Sequence, residues 1–581
     1  MKRATVKRGE TSYVYLRLVE AYRDGGSVRH RVLANLGRED ELKASGQLDQ
    51  LAASFARLDP PPWGTRREVG SLLLVRHYLD RLGVVKLVDA AIPRRGRAQL
   101  THGEVVAALI ANRLSAPAPL YDVAGWASSA AVHELLGVPA MLLHDDRLGR
   151  ALEAYARVGE TVRGAAMLTA IDTSGADAAR LHLDLTTLTV AGDYPGSDLV
   201  AKGWNSSRRV QRQVRVLSAS DRTGVPLYTR PFAGDAAELT CLGEAMDRLA
   251  ELLPPGLLIV ADSALGHVKN LGEADRAGLC FIAPLRADTG FAQRFLTQVG
   301  HQALHPIRYI SRREAHLPAH RRTRYRGALR DFDVTDPTSG QPRRFRVADI
   351  WSSEAAASVA AARERALAKA EADLGRVHNG LGGRYYKTRK QVDAKVARVV
   401  GPHLHGLLTV TTSTRDGKPT LTWRRDQVAI DAAAELDGIY ALATNLTGRI
   451  SATSVLNLDK AQHLVELAHH ANKRALKVRP IFLHNDDRIG ALIGIVGLAL
   501  LIYGLIQTDL RHAVGSDQHL DGLLPEGRAA RPTGRNILAA FQGLGATYTP
   551  HGLRLDRLTP TQRRILDLLN IDLPWPEQGE R

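Results

Sequence analysis

Leu257-Leu258-Ile259-Val260-Ala261-Asp262 is a short apolar run that follows Pro254-Pro255-Gly256 and stops on a carboxylate. Its residues are those of a strand buried on both faces. In open α/β sheets ligands gather outside the strand ends, where a lone acid must be solvated, paired or hold a cation. Asp262 is therefore a candidate site residue, or else only a cap for the helix expected near Gly266-His267-Val268.

Working outward, a second acid lies on an earlier apolar alternation. Leu181-His182-Leu183-Asp184-Leu185 continues to Val190 as a strand carrying Asp184. Strands over Gln213 to Ala219 and Pro226 to Phe232 follow, joined at Asp221-Arg222-Thr223-Gly224. A helix from Ala236 to Leu253, the strand ending at Asp262, a helix near His267 to Ala277 and a strand over Cys280 to Pro284 complete the series. Three antiparallel strands, a helix and a further strand make the order of a ribonuclease-H-like domain, with Asp184 and Asp262 on its first and fourth strands.

A third acid falls on a helix expected from about Asn457 to Ala475. Leu464, Leu467, Ala468, Ala471 and Ala475 form its apolar stripe, and Glu466 and Lys473 lie two turns apart on another side. A Glu there can ligate a metal while the Lys reaches a phosphate. The alternatives are a solvated face with a weak ion pair, or a zinc trio of His463, Glu466 and His470, whose spacing is not that of a metalloprotease.

The rest of the chain fits a polyanion-binding protein. Of its 581 residues, Lys and Arg number 78 and Asp and Glu 61, a formal charge of +17, which points first to nucleic acid and then to an anionic membrane surface. Lys202, Arg208, Arg209 and Arg212 cluster with Trp204 in an expected loop over the first strand, and Arg384-Tyr385-Tyr386-Lys387-Thr388-Arg389-Lys390 is a second basic and aromatic patch. Cys241 and Cys280 show no paired spacing, so neither a disulfide framework nor a structural zinc is indicated, and the chain suits a reducing cytoplasm. The basic N-terminus lacks the apolar segment of a signal peptide. Ile489 to Ile506 is uncharged and just long enough to span a bilayer; its isolation, its flanking acids and its closely spaced glycines make it a buried core helix.

Upstream, Thr11 to Leu36 reads as a hairpin turning at Asp24-Gly25-Gly26, and Asp59-Pro60-Pro61-Pro62-Trp63-Gly64 as a stiff linker. Helices are expected over Arg67 to Leu82, Thr101 to Arg113, with Thr101 and Glu104 as a capping box, and Leu120 to Leu136. Downstream, Asn536 to Leu544 and a capped helix from Thr559 to Leu569 close the chain. The expected architecture is α/β: a ribonuclease-H-like catalytic core interrupted by a β-rich insertion, with an N-terminal β-hairpin plus helical domain. The divisions are a hairpin region at 1–58, a helical, DNA-end-binding domain at 66–160, the core at 167–307 and 437–581, and the insertion at 308–436.

Together these residues resemble the bacterial insertion-sequence transposases of the DDE class, in the branch with a long β-rich insertion between the second Asp and the Glu. The resemblance takes in the N-terminal hairpin, Asp145-Asp146-Arg147-Leu148-Gly149-Arg150, the core, and Val478-Arg479-Pro480-Ile481 after the Glu helix. It implies that Asp184, Asp262 and Glu466 are catalytic ligands of two magnesium ions, with manganese as a substitute, and that Lys473 holds DNA. It also implies double-stranded DNA as substrate, at terminal inverted repeats and target, and a homodimer on paired ends, cytoplasmic and nucleoid-associated, with no membrane partner. The family often has Tyr and Arg where this chain has Asp459 and Gln462, so the DNA-end contacts of those two are not implied here. Magnesium is usually held by few carboxylates plus water and substrate phosphate, which is what three scattered acids supply. A ribonuclease-H-like nuclease would share the acids and stop at hydrolysis; an inactive, transposase-derived DNA-binding protein would be indifferent to magnesium.

Overall fold

The computed structural model describes all residues except 1, 9–10, 25–26, 46, 48–62, 94–97, 175, 177, 205–208, 262–264, 286–303, 462–482, 516–517, 525 and 580–581. At the N-terminus, β1 (Lys2–Arg8), β2 (Thr11–Asp24) and β3 (Ser27–Arg38) form an antiparallel meander. The expected hairpin is its second half; β1 is an addition.

The helical region opens differently from expectation. Arg66–Glu68 is a strand, β4, and the helix starts only at Leu72. Gly70, at φ +48°, turns the chain between them, in a left-handed conformation that favours glycine. The helix His102–Ser115 begins as expected on Thr101, whose side chain accepts from the Glu104 N–H at 3.1 Å while Glu104 accepts from the Thr101 N–H at 2.6 Å. The single helix expected over 120–136 is broken into a 3-10 turn, Val123–Ser129 and Val132–Leu136. The cause of the second break is a tertiary bond: the Ala131 N–H donates to the Glu68 carbonyl at 2.8 Å. Helices Asp145–Ala156 and Gly159–Ser174 then lead to the sheet.

The central sheet has ten strands. Its first half is β5 (Arg180–Thr189), β6 (Ala201–Trp204), β7 (Val210–Ser220), β8 (Pro226–Phe232), β9 (Leu258–Val260) and β10 (Cys280–Pro284). Helices Glu238–Leu252 and Val268–Arg276 precede β9 and β10. β7 lies antiparallel between β5 and β8; β9 runs parallel to β5, and β10 parallel to β9. The spatial order is therefore β8-β7-β5-β9-β10. The turn from β7 to β8 is the expected one, with the Thr223 and Val225 N–H groups both donating to Asp221 Oδ1.

Beyond β10 the sheet continues through β11 (His305–Ile307), β12 (Tyr325–Thr335) and β13 (Pro342–Ser352), which join it by way of β16 (Ile439–Thr444). Residues up to Ser352 of the segment expected as an insertion thus extend the central sheet. Their alternation explains it: Phe345 and Val347 pack on one face, Ala348 and Ile350 on the other, so this strand is buried on both sides. Between β13 and β16 the chain leaves as an arm. It comprises helices Ser353–Asn379 and Arg389–Leu404, the hairpin of β14 (Leu408–Arg415) and β15 (Lys418–Arg425), and the helix Gln427–Ala434. A core of its own, including Leu367, Leu374, Val377, Val392, Leu404 and Leu421, holds it together.

The uncharged run is the middle of the helix Asp486–Val514, buried from Ala491 through Thr508. It is the one helix among the described residues long and apolar enough to cross a membrane, and it lies inside the protein. Its glycines explain how. A Cβ on Gly494 would strike the Arg163 guanidinium, and one on Gly497 would stand 2.9 Å from Thr229 Cβ. Arg163 in turn donates to the Thr229 carbonyl at 3.0 Å, so helix, arginine and β8 interlock. Tyr78 and Arg81 of the helical region reach Asp509 at 2.8 and 2.7 Å, fixing the other end.

The C-terminal part returns to the start. The helix expected from Asn536 to Leu544 is Gly534–Ala540, and β17 (Gly545–Thr549) then pairs with both β18 (Gly552–Leu555) and β4. The last helix, Pro560–Leu568, carries the expected capping box of Thr559 and Gln562.

Candidate active site on the central sheet

Asp184 lies on β5 opposite Ser218 of β7, and His182, two residues earlier, lies opposite Ser220. On the other side His182 pairs with Val260 of β9. Alternation puts His182 and Asp184 on one face. That face is apolar to either side of Asp184. Val260, Ile282, Ala348 and Leu442 form one cluster, while Leu188, Val214 and Val216 pack with Ile489 and Ile493 at the start of the central helix. Residues 452–461 are helical, and Ala452, Val455 and Leu456 bury themselves in the first of these clusters. The helix leading toward Glu466 therefore covers the face that carries Asp184.

Of the other expected site residues, Asp262, Glu466, Lys473 and Arg208 lie outside the described residues, as do Gln462, His463 and His470. Among the described residues no three His, Cys, Asp or Glu side chains group as a metal site. Asp459 is described: it sits close enough to Tyr440 and Tyr309 to add to the upward push that burial gives both phenols. Lys460 stands over the Tyr440 ring at 5.3 Å.

Of the basic cluster near the first strand, Lys202 and Trp204 lie on the edge strand β6 and Arg212 on its neighbour β7. Lys202 pairs with Arg212 and Trp204 with Val210, because Ala201 and Gly203 turn inward while Lys202 and Trp204 point to solvent. Trp204 is 62% exposed. Arg212 is bound to Asp193 at 2.7 Å; Lys202 and Arg209 are exposed.

His182 was not singled out by the sequence. It is 2% exposed, neither ring nitrogen makes a hydrogen bond, and burial, aided by Arg180, pushes its pKa down to about 4. The signal was present in Leu181-His182-Leu183-Asp184, where the imidazole shares the acid's face. A neutral ring there gives the acid a dry, uncharged neighbour.

Residues 1–61 match the family model described as the IS1634 family transposase, N-terminal domain, and residues 65–163 match a domain of unknown function, DUF4277. No curated protein matches the chain. Among solved structures it is similar to a piggyBac transposase synaptic complex with hairpin DNA, at 10% identity over 90% of this chain and 89% of that one, with a TM-score of 0.36. The class to which the chain is similar is that of the insertion-sequence transposases, as the residues implied. Within that class its first 61 residues match the IS1634 family.

Proposed function

We propose that the protein is a DDE transposase that cleaves DNA at insertion-sequence ends and joins those ends to target DNA. In this reading β8-β7-β5-β9-β10 is a ribonuclease-H-like core, and Asp184, Asp262 and Glu466 are its metal-binding carboxylates. One observation carries it. Val260 pairs in parallel register with His182, and in the sequence Asp262 follows Val260, as Asp184 follows His182, by two residues. A pair of strands continued in that register would bring two such acids to one face and one level of a sheet. The helix that covers this face and runs on in sequence toward Glu466 adds support.

Carboxylate oxygens suit magnesium, and two such ions when bound stabilise both the attacking and the leaving oxygen of an in-line displacement. The chain's own residues do the rest. The three acids fix the charge of the site, the buried neutral His182 and the flanking apolar clusters keep it dry, and Lys473, seven residues beyond Glu466 in the sequence, holds a scissile phosphate. Lys202, Arg208, Arg209 and Arg212 take the adjoining DNA backbone. The active form is a homodimer on paired ends, working in the cytoplasm on the nucleoid.

The test is magnesium-dependent cleavage and joining of a labelled duplex bearing the element's terminal repeat. Wild type is expected to give joined product; Asp184→Asn and Glu466→Gln are expected to bind and not cleave. Cleaved ends that never join would make it a nuclease, and cleavage retained by Asp184→Asn would remove that residue from the site.

A further inference from the structure

The arm ends in a surface that the catalytic reading does not use. No carboxylate occurs between Asp373 and Asp393, a stretch that holds Arg376, Arg384, Lys387, Arg389 and Lys390. Several arginines of the arm are matched: Arg363 binds Asp437, Arg376 binds Asp373, Arg389 binds Asp393, and Arg425 binds Glu364 and Glu371. At the tip, Arg384, Lys387 and Lys390 face no carboxylate among the described residues.

The tip is also closed by its own backbone hydrogen bonds. Gly382 N–H donates to the Tyr386 carbonyl at 3.0 Å, Tyr386 N–H to Gly383 at 3.1 Å, and Gly383 N–H to Gly380 at 3.1 Å. Gly382 holds φ +79°, and the Tyr386 ring closes against Gly380. This base displays Tyr385, 74% exposed, with the Arg384 guanidinium over its ring at 5.8 Å. Directly after it the helix Arg389–Leu404 starts on a Thr388 capping box with two cations and no acid in its first turn. Cations are the unfavourable sign at a helix N-terminus, where free N–H groups attract anions. A local rule broken on a well-built loop points to a partner.

We propose that residues 380–390 form a second DNA-binding surface, in which Arg384, Lys387 and Lys390 bind consecutive backbone phosphates of duplex DNA and Tyr385 fixes Arg384. The inference rests on the DNA-processing reading for its purpose and can be tested apart from it. The arm helix of 27 residues is about 40 Å long, so the tip stands more than one DNA turn from the end of β13. It therefore grips flanking DNA beyond the reacting end.

The experiment measures binding of the full-length protein to a labelled duplex of about 40 base pairs without terminal-repeat sequence, and to oligothymidine, across a salt series. Replacing Arg384, Lys387 and Lys390 together by Ala is expected to make the duplex slope of log K against log salt shallower by about 2.7, at about 0.9 per lost phosphate contact. Lys390→Glu is expected to weaken binding while leaving the thermal midpoint unchanged or higher, because an acid suits that helix turn. An unchanged slope would show a merely solvated face. Loss on oligothymidine alone, or loss only alongside a lowered midpoint, would equally overturn the proposal. Binding is measured without magnesium and without cleavage, so failure of the catalytic reading would leave this measurement standing.

Discussion

The central helix Asp486–Val514 and the arm helix Ser353–Asn379 are of similar length and are held by opposite means. The first carries an uncharged run, buried throughout, with glycines where β8 and Arg163 press against it. The second buries only Leu367, Ala370, Leu374 and Val377, and guanidinium–carboxylate contacts attach much of the rest. Steric fit in a dry core tolerates no added volume, whereas partly exposed ion pairs are weak singly and depend on salt and pH. The body of the protein is therefore expected to fail by overpacking, and the arm by loss of charge.

The largest effect is expected at Gly497. Helix propensity alone would make its replacement stabilising by about 1 kcal/mol. The 2.9 Å approach to Thr229 reverses the sign: Gly497→Leu is expected to cost about 3 kcal/mol or more in denaturant unfolding. A stabilised variant would mean that the helix and β8 are not in close contact, and the contrast with the arm would collapse.

The next effect belongs to His182 and is a pH dependence. Burial lowers its folded pKa from the ordinary 6.5 to about 4, so the imidazole contributes its stability fully above pH 6.5, and that contribution declines as pH falls toward 4. The whole effect is on the order of 3 kcal/mol. His182→Leu is expected to flatten the stability profile in that window. A profile unchanged by the substitution would show that the wild-type ring is not buried neutral.

These features differ in how far the sequence revealed them. β8 and β10 were read to the residue, and Thr101 and Thr559 announced their helices, because turn chemistry, alternation and capping are local. The expected strand order came from the same local signals. β4 was read as helix because its partner β17 lies at the other end of the chain, Gly545 pairing with Glu68 and Thr547 with Arg66, and no local period records such pairing. The same holds for β12 and β13, whose membership of the central sheet depends on β16. Asp184 was legible as an acid on an apolar strand. His182 was missed because one imidazole in a strand gives no sign of burial until both neighbouring strands are in place.

The smallest effect is the one that separates arm from body. Arg425 donates to Glu371 at 3.0 and 2.8 Å and to Glu364 at 2.9 and 2.9 Å. Those acids stand seven residues apart, two turns on one side of the arm helix. Arg425 holds the Glu371 carboxyl below its ordinary 4.5, so this link is complete above pH 4.5 and is lost as pH falls below it. Because Arg425 and Glu371 are about a third exposed and Glu364 is 61% exposed, Arg425→Ala is expected to cost only about 1 kcal/mol, and less in high salt. Hydrogen exchange should report it within the arm alone, in residues 364–371 and 418–425, with β5, β7 and the central helix unchanged. Faster exchange throughout the central helix as well would show that arm and body unfold as one unit, and the difference between them would then lie in composition and not in stability.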